Sequence, residues 1–169
     1  RNSGQYWKAL DLIKDIPGKI VPTDFGRRVA DGAITSSELA ATTIKTLELP
    51  NRNIDENVSD WEEAELTIKP LELILKILIA LFDANGKGEA YITKDELVSI
   101  IIPLAGEKAP IGKHVEAISL YRRGKLEMSD WPNCAPGAND KRMAREFLLF
   151  LAHYGYCDVL SERGERFYL

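Results

Sequence analysis

The chain has 169 residues, 45% of them hydrophobic and 28% charged, an ordinary globular composition with room for one domain or two small lobes. Its net charge of −4 argues against indiscriminate nucleic-acid binding, because exposed charges are screened beyond about 8 Å in physiological salt and phosphate is attracted only by local cations. The longest apolar run, residues 71–82, is broken by Glu72 and Lys76, too short and too charged to span a bilayer.

Residues 1–15 are polar and helix-like rather than a signal peptide, so a cytoplasmic location and no membrane partner are expected. A start at Arg1 rather than Met reads as a piece of something longer. Leu10, Ile13 and Ile16 at helical spacing predict a short helix over 6–16, ended by Pro17-Gly18. A short strand is expected over 19–22 and a helical turn over 24–30. Ile34-Thr35-Ser36-Ser37-Glu38-Leu39 then introduces a helix, and the phrase returns as Ile92-Thr93-Lys94-Asp95-Glu96-Leu97. Both have the form of a capping box, in which the Thr hydroxyl accepts from a backbone N–H of the first turn and the Glu three residues on reaches back to the cap's own N–H. Two copies suggest two related lobes. Asp55, Glu56, Asp60, Glu62, Glu63 and Glu65 read as a solvated linker or helix face. The lobes are therefore placed at 1–66, winged-helix-like with the acidic linker, and at 67–169.

In the second lobe the pattern predicts a buried helix over 71–82, a turn over 84–89 and a short strand at Tyr91-Ile92. A helix from Thr93 to about Ile102 follows, stopped by Pro103. Another covers 112–123 and ends at Gly124, and a long amphipathic helix over 139–154 ends at Gly155. Residues 156–160 and 166–169 alternate like the strands of a hairpin. The expected class is mainly α with short β-hairpins, a winged helix-turn-helix elaborated by an extra helix.

Catalytic and metal centres are not expected. The stretch 83–89 resembles a calcium loop, but Lys87 and Lys94 stand where its fifth and twelfth ligands belong. The two histidines, His114 and His153, are too few for an HNH nuclease centre, and no lysine has Asp or Glu two positions before it. Cys134 and Cys157 make no zinc pattern and read as reduced thiols. No cofactor is expected, and the chain by itself is read as no enzyme.

The segment worth singling out is Trp131-Pro132-Asn133-Cys134-Ala135-Pro136-Gly137-Ala138-Asn139-Asp140-Lys141-Arg142. It lacks long aliphatic residues and holds two prolines, which makes a stiff loop with a shallow apolar surface. It leads into a helix N-terminus, where free N–H groups favour an anion, and a bound phosphate would account for Lys141 and Arg142 in a first turn that otherwise disfavours cations. Trp131, Pro132 and Ala135 fit the aromatic-Pro-x-x-Ala motif, and the chain resembles the sulfur-binding domains of phosphorothioation-dependent, McrA-like type IV restriction endonucleases. That resemblance implies a sulfur pocket walled by Trp131, Pro132 and Ala135, with Trp131 standing where the family has Tyr. It also implies His and Arg on the flanking phosphates, for which Lys113, His114, Arg122 and Arg123 are the candidates. Asn133, Gly137, Asn139, Lys141 and Arg142 complete the expected surface, its polar members reading bases beside the sulfur. Phrases around Phe25-Gly26, Gly32-Ala33-Ile34-Thr35 and Tyr91-Ile92-Thr93 are similar to the DNA-recognition domains of AlwI-like type IIS restriction enzymes.

The physical basis of sulfur selection is desolvation. Pressing a phosphate oxygen against a proline ring and an alanine methyl removes its water without replacement, at about 2–7 kcal/mol. Sulfur is softer and less tightly hydrated, so it loses less and gains dispersion contact. The expected partner is double-stranded DNA carrying a phosphorothioate, with an HNH nuclease domain linked elsewhere. A specificity domain for unmodified DNA and a winged-helix protein-interaction module are the alternatives.

Overall fold

The computed structural model describes residues 3–54, 58–63, 65–126, 138–160 and 165–169; the side chains of residues 3, 60, 61 and 138–141 are outside that description. The chain forms two compact units, Arg1–Pro70 and Leu71–Leu169. The boundary falls four residues beyond the expected one because Ile68 is tied back into the first unit, exchanging backbone hydrogen bonds with Leu49 at 2.8 and 2.9 Å. Among the described residues the protein is mainly helical with two small antiparallel sheets, and no helix is long and apolar enough to cross a membrane.

The first unit opens with α1 (Ser3–Ala9), then β1 (Ile13–Ile16) and β2 (Lys19–Pro22), an antiparallel hairpin. The helix expected over 6–16 therefore stops at Ala9. Asp11 takes a left-handed φ of 55°, and the amides of Asp11 and Leu12 bond to the carbonyls of Lys8 and Trp7, which closes the helix as a Schellman turn. Pro17 and Gly18 (φ 79°) then turn the hairpin instead of ending a helix. Helices α2 (Asp24–Ala30), α3 (Ser36–Thr46) and α4 (Val58–Glu63) follow. At Gly26 a Cβ would lie 1.9 Å from the Leu12 carbonyl oxygen, so only glycine lets α2 approach the start of the hairpin this closely.

The second unit begins with α5, Pro70–Asn85, whose Leu71, Ile74, Ile77, Leu78 and Leu81 are fully buried. Ile79 and Phe82 face outward, so the helix buries one stripe rather than its whole circumference. A 3₁₀ turn (Lys87–Glu89) leads to β3 (Tyr91–Thr93). Helix α6 (Lys94–Glu96) runs through a π-helical segment (Leu97–Ile101) into α7 (Ile102–Gly106). The helix thus does not stop before Pro103. Across the wide turn the Ile102 amide bonds to the Leu97 carbonyl, five residues back, and Pro103 occupies the first turn of the next α-helical stretch, where a missing N–H breaks no bond.

Glu107 to Pro110 connect to α8 (Ile111–Arg122); Lys108 is left-handed at φ 55° and closes α7 as Asp11 closes α1. Helix α9 (Ala138–His153) ends at Gly155 (φ 73°), and α8 ends at Gly124 (φ 64°), both at the glycines the sequence marks. Strands β4 (Asp158–Leu160) and β5 (Arg166–Tyr168) form the expected hairpin. β5 also pairs with β3, which makes a sheet of order β3-β5-β4. Phe167 and Ile92 pair across it and are fully buried, joining Leu104, Ile118, Leu148 and Leu151 in the core.

Candidate functional site

Trp131, Pro132, Asn133, Ala135 and Gly137 lie outside the described residues, as does Cys134. Asn139 and Lys141 lie in the first turn of α9, with their side chains outside the description. Arg142, one position further along α9, is exposed.

The remaining candidates all sit on or just after α8, where the fold separates them. Lys113 and Arg123 are exposed and share a side of the helix with Glu116, at spacings of three and seven residues. His114 points the other way and is fully buried. Its Nδ1 lies 3.1 Å from the Pro110 carbonyl oxygen, to which it donates, and its Nε2 has no partner among the described residues. Burial pushes the His114 pKa down, against the Pro110 carbonyl, so the ring is neutral near pH 7. A neutral, buried ring does not contact a phosphate from this position. Its place is structural, joining the helix to the turn before it.

Arg122 is engaged internally. Its Nε donates to Glu96 Oε1 at 2.7 Å, one terminal nitrogen to the Glu89 carbonyl (2.8 Å) and carboxylate (3.1 Å), and the other to the Tyr91 carbonyl and Glu96. The guanidinium carbon stands 3.7 Å from the centroid of the Tyr91 ring. Glu96 is buried, and its Oε2 also accepts the Thr93 amide at 2.8 Å to complete the capping box. The sequence announces Glu96 as a cap. Nothing in its spacing announces that the same carboxylate anchors Arg122, 26 residues away.

Arg145 of α9 is likewise paired, donating from two nitrogens to both oxygens of Glu165 at 2.9 and 2.8 Å. Cys157 is a buried free thiol whose pKa burial raises to about 11, so it stays protonated at neutral pH and is a poor nucleophile. Among the described residues no three His, Cys, Asp or Glu side chains gather as a metal site.

No family model, curated protein or solved structure matches the chain.

Proposed function

We propose that the second unit is a winged helix-turn-helix DNA-recognition module serving a nuclease, and that it selects phosphorothioate-modified DNA. The observation that carries the DNA reading is topological. We read helix α7, the four-residue connection and α8 as a helix-turn-helix, in support of which the strand preceding the pair enters the sheet and the terminal hairpin completes the order β3-β5-β4. In such an arrangement the second helix of the pair lies against the major groove. Here that helix is α8, and Lys113 and Arg123 are its outward cations. The sulfur-selecting wall is assigned to Trp131, Pro132 and Ala135 on the strength of their motif, and Arg142 on α9 is assigned to the same DNA face.

A second reading has one specific observation in its favour. Arg122 at the end of α8 is neutralised by Glu96 and Glu89, and Glu116 stands between Lys113 and Arg123, so the face of α8 is mixed rather than basic. A mixed face suits a protein partner.

The deciding experiment measures binding of one duplex with and without a single phosphorothioate, over a range of salt. The expected result is at least tenfold tighter binding of the modified duplex, lost in Pro132→Gly. Equal binding removes the sulfur selection and leaves recognition of unmodified DNA. No binding to either duplex at low salt overturns the DNA reading in favour of a protein partner.

A further inference from the structure

The β3-β5-β4 sheet has an inner and an outer face. Ile92 and Phe167 are paired and fully buried on the inner side, so the neighbouring pairs Tyr91–Tyr168 and Thr93–Arg166 lie on the outer one. Tyr91 and Arg166 of that face line a cleft of about 420 Å³ together with residues of α6, the end of α8 and Glu165.

The charges of this cleft do not cancel in place. Glu96 is held by Arg122 and Glu165 by Arg145. Arg122 makes five hydrogen bonds to protein and is engaged on all three nitrogens. Arg166 is different. Its guanidinium lies 4.5 Å from the Tyr91 ring centroid and donates a single long bond, 3.4 Å, to the Tyr168 hydroxyl. A guanidinium carries five N–H donors, so among the described residues most of Arg166's are without an acceptor. Stacking on Tyr91 restrains the planar fork, so less freedom is lost when it grips a ligand. Among the described residues Lys94, which lines the same cleft, is in no ion pair, and Asp95 is the one opposing charge in the lining not held by an arginine.

We propose that this cleft is a phosphate-binding site, with Arg166 as the gripping residue and Lys94 as the second charge. Two cations on separate elements, with Tyr121 also in the lining, suit a tetrahedral group whose oxygens point in different directions. A carboxylate offers two in one plane. The volume accommodates a nucleotide-sized group, and its source is either a DNA backbone or a free nucleotide. The assignment stands on the sheet and its cations, independently of the face of α8.

The test is a series of two-dimensional amide NMR titrations of the full chain with sodium phosphate, adenosine monophosphate and a 12-base-pair duplex with and without a single phosphorothioate, each against sodium chloride at matched ionic strength. Amides of residues 93–95 and 165–167 are expected to shift saturably with phosphate. Arg166→Gln is expected to weaken that binding at least tenfold and Lys94→Gln, outside the sheet, two- to fivefold, with the rest of the spectrum unchanged. Tighter saturation by the duplex than by the nucleotide identifies the source as a DNA backbone, and the reverse identifies a free nucleotide. Shifts reproduced by chloride, or unchanged in both variants, overturn the site. A duplex that moves amides 112–116 of α8 but leaves the cleft silent overturns this site alone. A cleft that responds while α8 stays silent to modified and unmodified duplexes overturns the DNA reading and leaves the site standing.

Discussion

The same six-residue pattern, Ile-Thr-x-x-Glu-Leu, begins a helix in each unit, and the two copies carry very different weight. At α3 the Thr35 hydroxyl accepts the Glu38 amide at 3.2 Å and the Glu38 carboxylate accepts the Thr35 amide at 2.8 Å, all of it exposed. At α6 the equivalent bonds of Thr93 and Glu96 are 3.1 and 2.8 Å, yet Glu96 is buried and also holds Arg122. The local geometry is the same because it is dictated over four residues. What the motif contributes is decided by what packs over it. The contrast extends to buried polar groups: among the described residues the first unit buries the hydroxyls of Thr23 and Thr43, the second the ionisable groups of Glu96 and His114.

Breaking the buried copy is expected to have the largest effect. Glu96→Ala removes the carboxylate facing Arg122, whose side chain is 12% exposed. Removing one partner of a buried ion pair typically costs about 3–5 kcal/mol, and about 3 is expected here because Glu89 and two carbonyls still hold the guanidinium. Urea denaturation measures the loss; a change no greater than that of Glu38→Ala would erase the distinction between the copies. In the first unit the critical contact lies elsewhere. Gly26→Ala forces a Cβ into the Leu12 carbonyl, which also accepts the Thr23 amide at 3.1 Å, and overpacking of this kind costs about 1–3 kcal/mol. Faster amide exchange across α2 and the β1–β2 hairpin reads it out. Unchanged exchange there would mean that the close approach is not what holds the hairpin to the helix.

Chain punctuation explains which elements were legible beforehand. Helices that end at Gly124 and Gly155 stop where the sequence says, because glycine adopts positive φ without a Cβ clash. The ends closed by Asp11 and Lys108 are invisible to that rule, since neither residue ordinarily signals a left-handed turn. Hence the helix expected over 6–16 conceals a helix and a strand. Pro103 misleads in the other direction, because the π-helical segment before it supplies a geometry in which proline breaks no bond. That detail governs the functional reading, since carrying the helix on to Gly106 shortens the connection to α8 to the length of a helix-turn-helix turn. Of the candidate contacts, helical spacing alone could not separate exposed Lys113 from buried His114, its neighbour. Nor does composition show that Arg122 is already paired while Arg166, which no motif marks, has few acceptors among the described residues.

Acid should separate the units by their buried groups. His114 has its folded pKa below the ordinary 6.5 because burial disfavours the charged ring. Above 6.5 both folded and unfolded forms are neutral and its contribution to stability is complete; as the pH falls from 6.5 through the folded value, the unfolded chain takes up the proton first and stability is lost. The second unit should therefore lose protection across this window, while His114→Asn, whose amide can still donate to Pro110, should flatten the dependence. A dependence equally steep in the variant would assign it to another group.

The smallest effect belongs to the exposed cap, and its pH dependence lies in a different range. Hydrogen bonds from Thr35 to the Glu38 carboxylate lower its pKa below the ordinary 4.5. Its contribution is thus full above 4.5 and disappears as the pH falls through the lower folded value, well below the histidine window. Glu38→Gln retains an oxygen that can accept the Thr35 amide but cannot titrate. Amide exchange in the first turn of α3 should then be slower in the native chain than in the variant above 4.5, with the two converging in stronger acid. If the difference persisted in strong acid, the carboxylate charge would not be what distinguishes them, and the exposed box would be a matter of shape alone. Convergence would mean that the two copies share a hydrogen-bond pattern and differ in what titrates around it: a surface carboxyl in one unit, a buried imidazole near the other.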